Sequence, residues 1–240
     1  MYILPFLSIF ASAYALDTWL CATMSNMHTE IAELYAFIKR AEKLKTELRH
    51  SWLSDTSRQE SVAEHSWMLA LIAMTIFDSI DLKLDRLKVM KMVVMHDLAE
   101  AITGDIPTFE MSDRQDAKYE NERLAILKIT EGLPQKTADE FLALWQEMED
   151  KQTPEAMLAQ CLDKIEVLIQ HIIADIDTWD DGDFGLGPYN KDELFDFHPY
   201  MREFKDYVNE EFWKKMETEG TMDRLHPEHL KRRQTEITNS

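Results

Sequence analysis

Glycine and proline are scarce, at 6 and 7 of 240 residues. That is too few punctuators for a chain of short strands and tight turns. Both are costly inside helices, so their scarcity favours long uninterrupted helices. Cysteine is nearly absent: Cys21 and Cys161 stand alone. This excludes a disulfide framework and a paired-cysteine zinc site, and it fits a reducing, cytoplasmic setting. Positive charge is also in deficit. A formal net charge of -19 argues against a nucleic-acid partner, because neutralising phosphates takes lysine and arginine. The same acidity would repel a phosphorylated small molecule unless bound metal and a few basic groups reverse the field locally.

Membrane association is not expected. The apolar opening stretch is too short and mixed to span a bilayer. Ala13-Tyr14-Ala15 has the small-x-small form of a signal-peptidase site, without the positively charged leader a secretory signal carries. Met24 and Met27 offer internal starts. Residues 1–27 are therefore read as an N-terminal extension, either a helix or sequence upstream of the true start.

What is present is helical periodicity. Ile31, Leu34, Phe37, Ile38, Ala41, Leu44 and Leu48 mark a helix over 28–48. A polar turn over 51–60 leads into a nearly all-round apolar helix over 61–78, expected at the centre of the domain. A short polar link precedes a second buried helix over 87–101, stopped near Gly104 and kept stopped by Pro107. Further helices are expected over 112–131, 135–149, 155–176 and 199–217. The glycine-containing stretch 177–192 reads as part of a surface excursion near 177–198, and 218–240 as a polar tail. No alternating strands, repeats or linkers are evident. The expectation is an all-α, single-domain helical bundle over 28–217.

Residues 93–107 concentrate the chemistry. His96, Asp97, Glu100 and Asp105 fall within ten residues of an otherwise apolar run, and apolar layers do not accept such groups uncompensated. His65 lies upstream and Asp163 downstream, each flanked by apolar residues. Two imidazoles and two carboxylates suit one divalent transition metal, Mn, Co, Fe, Ni or Zn, better than Mg. Glu100 follows His96 by four residues and Asp97 by three, so it projects toward the same side. The chain reads as a metal-dependent hydrolase.

Four segments, in order, carry a resemblance: Glu60-Ser61-Val62-Ala63-Glu64-His65-Ser66; His96-Asp97-Leu98-Ala99-Glu100; Thr103-Gly104-Asp105-Ile106-Pro107; and Asp163. Together they resemble the HD-domain phosphohydrolase superfamily, in particular the branch of the bacterial 5'-deoxynucleotidase and its eukaryotic relatives. The resemblance covers about Glu33 to Ile176. It implies a helical bundle with the metal held by His65, His96, Asp97 and Asp163 between central helices. It also implies catalytic Glu100 and Asp105, with Asp105 orienting or deprotonating water and Glu100 supporting it, or the reverse. The implied activity is hydrolysis of the 5'-phosphate of nucleoside monophosphates, deoxyribonucleotides preferred, and homodimers are common among such proteins. The alternatives are a nucleotide pyrophosphohydrolase or phosphodiesterase of the same superfamily, or a non-catalytic nucleotide sensor. By resemblance Arg49 is the phosphate clamp and Trp52 the sugar contact. The interval from Trp52 to His65 is one residue shorter than in that branch, which makes Arg58 a competitor for the phosphate role.

Other residues take plainer readings. Glu64 is expected at a helix start, His171 in a structural or solvent-facing position, and His198, His226 and His229 on the surface. Trp145 and Trp213 are expected to pack, and the scattered methionines to fill the core. Asp177, Asp180, Asp181 and Asp183 lack the order of an EF-hand loop.

Overall fold

The computed structural model describes residues 24, 26–110 and 112–239. The expected extension over 1–27 therefore lies almost wholly outside the described residues. Apart from one hairpin, the described chain is helical, as the composition requires.

The most enclosed element is α8, Pro154–Ile173. Thr153 caps it by accepting from the Ala156 N–H, and Pro154 occupies the first turn, where no amide donor is needed. Leu158, Leu162 and Ile165 are fully buried along it. It packs against α2 (Val62–Ile76), α3 (Arg86–Met95), α7 (Gln135–Asp150) and α10 (Pro199–Glu219). A helix over 26–41, here α1, precedes these, and α6, Lys118–Ile129, packs against α7. At the start of α2, Ser61 and Glu64 form a reciprocal capping box, which fixes where the helix begins. Its apolar sequence does not make α2 central, however. Trp67, Leu71 and Met74 are 62%, 42% and 64% exposed; one face packs on α3 and α8 while the other stays open.

Three regions near the cavity described below also depart from the sequence-based expectation. The first is the expected helix over 28–48, which ends early. A 3-10 turn, Glu42–Lys45, leads into β1, Leu48–Trp52, which pairs antiparallel with β2, Gln59–Ser61. The register runs from Leu48↔Ser61 to Trp52↔Gln59, so β1 takes four steps where β2 takes two. In a regular strand alternate side chains face opposite sides. This irregularity lets Arg49, His50 and Ser51 all line one cavity.

The second departure lies after Met95. The helix expected to run on to residue 101 gives way to i→i−3 bonding: Leu98 N–H to Met95 O at 3.0 Å and Glu100 N–H to Asp97 O at 3.0 Å. A short α4, Glu100–Thr103, follows. The tightened stretch contains the His96-Asp97 pair, and such local over-winding re-aims side chains. Gly104 closes α4 at φ +76°, a conformation open to glycine. Asp105 N–H then donates to Glu47 Oε1 at 3.1 Å, which anchors the loop carrying Asp105.

The third is the segment 177–198. Rather than a surface excursion, it is a packed element: a 3-10 turn at Ile176–Thr178, α9 at Asp181–Leu186 and a 3-10 turn at Asp192–Phe197, with α5, Asp113–Asp116, elsewhere in the bundle. Trp179, Phe184 and Phe195 are buried, and these aromatic anchors replace the helical stripe that periodicity would have shown. The expected polar tail is likewise structured. It forms α11, Pro227–Asn239, tied back by Arg232 to Asp192 and by Arg233 Nη2 to Glu210 Oε2 at 2.6 Å. Among the described residues no helix is long and apolar enough to cross a membrane.

Candidate metal centre and active site

Three helical regions deliver the candidate ligands: α2 carries His65, the tightened turn after α3 carries His96 and Asp97, and α8 carries Asp163. One donor atom each from His65, His96 and Asp163 falls within 4.8 Å of the others. His65 Nε2 stands 3.3 Å from Asp163 Oδ1 and 4.0 Å from Asp97 Oδ2, and His96 Nε2 is 3.0 Å from the same Asp97 oxygen.

The two imidazoles are oriented from behind. His65 Nδ1 meets Glu166 Oε2 at 2.5 Å, and His96 Nδ1 lies 3.1 Å from the Val93 carbonyl. A proton on each Nδ1 makes these hydrogen bonds and leaves Nε2 as the lone-pair nitrogen. Both Nε2 atoms are buried without a hydrogen-bond partner. Buried unpartnered nitrogens facing carboxylates fit a cation. The residues therefore suit a divalent metal, with mixed imidazole and carboxylate donors.

The surrounding carboxylates favour positive charge at this point, carried by a proton on His65 until a metal ion displaces it from Nε2. Burial would raise the Asp163 carboxyl, but Lys164 at 2.8 Å and the adjoining imidazoles hold it well below the usual range. Asp97 is lowered as well, because His96 and Arg49 outweigh its burial. Burial and Arg49 push His65 down, yet Glu166 and Asp163 prevail and lift it to about 9.

Beside this cluster lies a cavity of about 300 Å³. Arg49 Nη1 reaches Asp97 Oδ2 at 2.8 Å and Asp105 Oδ1 at 3.8 Å. Glu100 is 3% exposed with Oε2 unpartnered. Burial, then Asp97 and Asp105, raise its carboxyl well above the ordinary value. Asp105 is raised by burial, with Arg49 opposing.

Of the residues expected from sequence, His65, His96, Asp97, Asp163, Glu100, Asp105 and Arg49 come together. Trp52 and Arg58 do not line the cavity. The Trp52 carbonyl accepts from Gln170 Nε2 at 2.5 Å. Arg58 grips Glu64 with two nitrogens, at 2.8 and 2.6 Å, which places both on the exposed shoulder of the capping box.

The structure adds residues that sequence reasoning missed. Lys118 lines the cavity; burial lowers its ammonium, but Glu122 and the acids of the centre raise it further. A signal was present, since Lys118, Glu122, Ala125 and Ile129 share the inner stripe of α6. Glu166 could have been found three residues after Asp163 on the same buried face. His171 lines the cavity instead of facing solvent, and its Nε2 lies 2.9 Å from Asp183. His198 is buried and caps α10.

Fold and site together define a helical metal-dependent enzyme scaffold, with a cluster of candidate metal ligands where three helical regions meet. The chain belongs to the HD-domain family, whose sequence profile matches residues 41–204. It is 35% identical over 141 residues to a Dictyostelium discoideum protein named 5'-deoxynucleotidase HDDC2, an alignment covering 56% of this chain and 73% of that protein. The human protein of the same name is 31% identical over 138 residues, covering 57% and 66% respectively. A Magnetospirillum magnetotacticum crystal structure, described as a predicted metal-dependent phosphohydrolase, superposes with a TM-score of 0.67 at 27% identity. That match covers 83% of this chain and 97% of the other.

Proposed function

We propose that this chain is a metal-dependent phosphomonoesterase that removes the 5'-phosphate from nucleoside monophosphates, with deoxyribonucleotides preferred. One observation carries the reading: the His65, His96, Asp97 and Asp163 cluster opens onto the cavity that also holds Arg49, Lys118, Glu100 and Asp105. The cavity, at about 300 Å³, is at the small end of ligand sites and suits a single nucleotide. The names of the aligned relatives support the same substrate class.

His65, His96, Asp97 and Asp163 would hold a transition ion such as Mn, Co, Fe, Ni or Zn. When bound, the ion supplies charge to the phosphoryl oxygens and makes water more acidic. Arg49 and Lys118 receive the remaining phosphate charge, Arg49 through its planar fork. Asp105, held beside Arg49, orients the attacking water and accepts its proton. Glu100, whose carboxyl is raised by burial and its acidic neighbours, gives a proton to the departing 5'-oxygen as its bond to phosphorus breaks. The products are a nucleoside and inorganic phosphate.

The test is phosphate release from deoxy- and ribonucleoside 5'-monophosphates with Mn, Co, Zn or Mg. Metal-dependent release that favours the deoxy series is expected. No release from either series with metal bound would move the assignment to a diphosphate or cyclic substrate, or to a sensor.

A further inference from the structure

The cavity wall carries a second set of metal-type side chains that the reaction above does not use. His50, on β1, brings Nε2 to 3.1 Å from Asp183 Oδ2 and 3.5 Å from Asp180 Oδ2. One donor atom from each of the three lies within 4.8 Å of the others. On the other side of Asp183, His171 Nε2 stands 2.9 Å from Oδ1, while its Nδ1 lies 2.7 Å from the Val167 carbonyl. Residues from β1, α8 and the start of α9 converge on one point.

Helix capping accounts for only part of this arrangement. Asp180 Oδ1 accepts from the Gly182 and Asp183 amides, and Asp183 Oδ2 accepts from the Asp180 amide. Asp180 Oδ2 takes no part in the cap and turns toward the imidazole instead. Among the described residues the charged partners of these two carboxylates are imidazoles alone; no lysine or arginine pairs with either. Two carboxylates face one ring nitrogen, a place for positive charge that a proton on His50 or a metal ion in its stead can supply. The spacings suit one: donors about 2.1 Å from a shared ion sit roughly 3.0–3.4 Å apart in octahedral or tetrahedral geometry.

We propose that His50, Asp180 and Asp183 bind a second divalent transition ion at the cavity wall, with His171 fixing Asp183 through its other oxygen. The mixed nitrogen and oxygen donors select Zn, Co, Ni or Mn over Ca or Mg. The ion clamps the six-residue α9 to β1 and α8. The site stands independently of the reaction assigned above.

The test counts metal. The full chain is stripped with chelator, reloaded with Co or Zn, dialysed, and its metal measured by mass spectrometry, with thermal unfolding alongside. Wild type is expected to retain two equivalents. His50→Gln and Asp180→Asn are each expected to retain one and to lose the metal-dependent rise in Tm that the second ion confers. Asn is a good helix cap, so Asp180→Asn removes the ligand while keeping the fold of α9. Asp163→Asn is expected to lose the other equivalent, so failure at one centre is distinguishable from failure at the other. A single equivalent in wild type, or a second one that survives both His50→Gln and Asp180→Asn, overturns the proposal.

Discussion

The central bundle and the segment 177–198 line the same cavity, yet different physics holds each in place. In the bundle, α2, α3 and α8 bury continuous apolar stripes, and the charged groups of the centre are inserted into them. The segment has no stripe. Its short turns and six-residue helix are fixed by separate aromatic anchors, Trp179, Phe184 and Phe195, and by paired charges such as Asp192 with Arg202 at 2.8 Å. A site can therefore be assembled from one wall whose position is set by periodicity and another set by individual contacts. The two walls should respond differently to substitution.

The largest difference should appear in activity. Glu100→Gln preserves shape in the bundle wall but removes the acid, so phosphate release should fall about 10²–10⁴-fold, with metal content unchanged. Loss of metal in that variant would instead mean that Glu100 shapes the ion site. Stability comes next. Phe195→Ala, at a fully buried position, should cost about 3–5 kcal/mol, as much as Leu162→Ala in α8 at about 2–5 kcal/mol. Denaturant unfolding would show it. A cost below about 0.5 kcal/mol, typical of surface substitutions, would return 177–198 to the status of a loose excursion.

The difference between the walls also explains what the sequence revealed. Helices α6, α7, α8 and α10 were legible because apolar residues recur every three or four positions, and α8 nearly matches its expected range. His65, His96, Asp97, Asp163, Glu100 and Asp105 stood out as charges in apolar surroundings. The hairpin was not legible, because β1 is Leu48-Arg49-His50-Ser51-Trp52, with no clean alternation and a register irregularity. The grouping of His50, His171 and Asp183 was not legible for a related reason: they lie on β1, on the apolar α8 and in the polar start of α9, and only the tertiary fold brings them together. Arg58 is attractive in sequence because it is a cation near the metal-ligand segment. Its pairing with Glu64 becomes visible only once the capping box turns that carboxylate outward.

Smaller effects sharpen the comparison further. Ser61→Ala removes the cap that sets the start of α2, at a cost of about 1 kcal/mol, readable as a shift in the denaturant midpoint at constant m. A separate effect is a pH dependence near the second wall. Burial, aided by Arg202 and Arg232, lowers the Lys205 ammonium to about 8 in the folded chain. In the unfolded chain it is near its ordinary value of 10.5. Between those values the unfolded state binds more protons, so this lysine makes stability rise as pH increases from about 8 to 10.5. Unfolding of Lys205→Met across that window should show a flatter profile than wild type. An identical slope would mean that Lys205 titrates normally.

The central claim is that His65, His96, Asp97 and Asp163 form one ion site that drives phosphate release. The most direct measurement follows metal content and deoxynucleoside monophosphate hydrolysis together, in wild type and His96→Ala. The account predicts that the variant loses one metal equivalent and nearly all phosphate release while remaining folded. Hydrolysis that persists at the wild-type rate in a folded His96→Ala lacking that equivalent would contradict it.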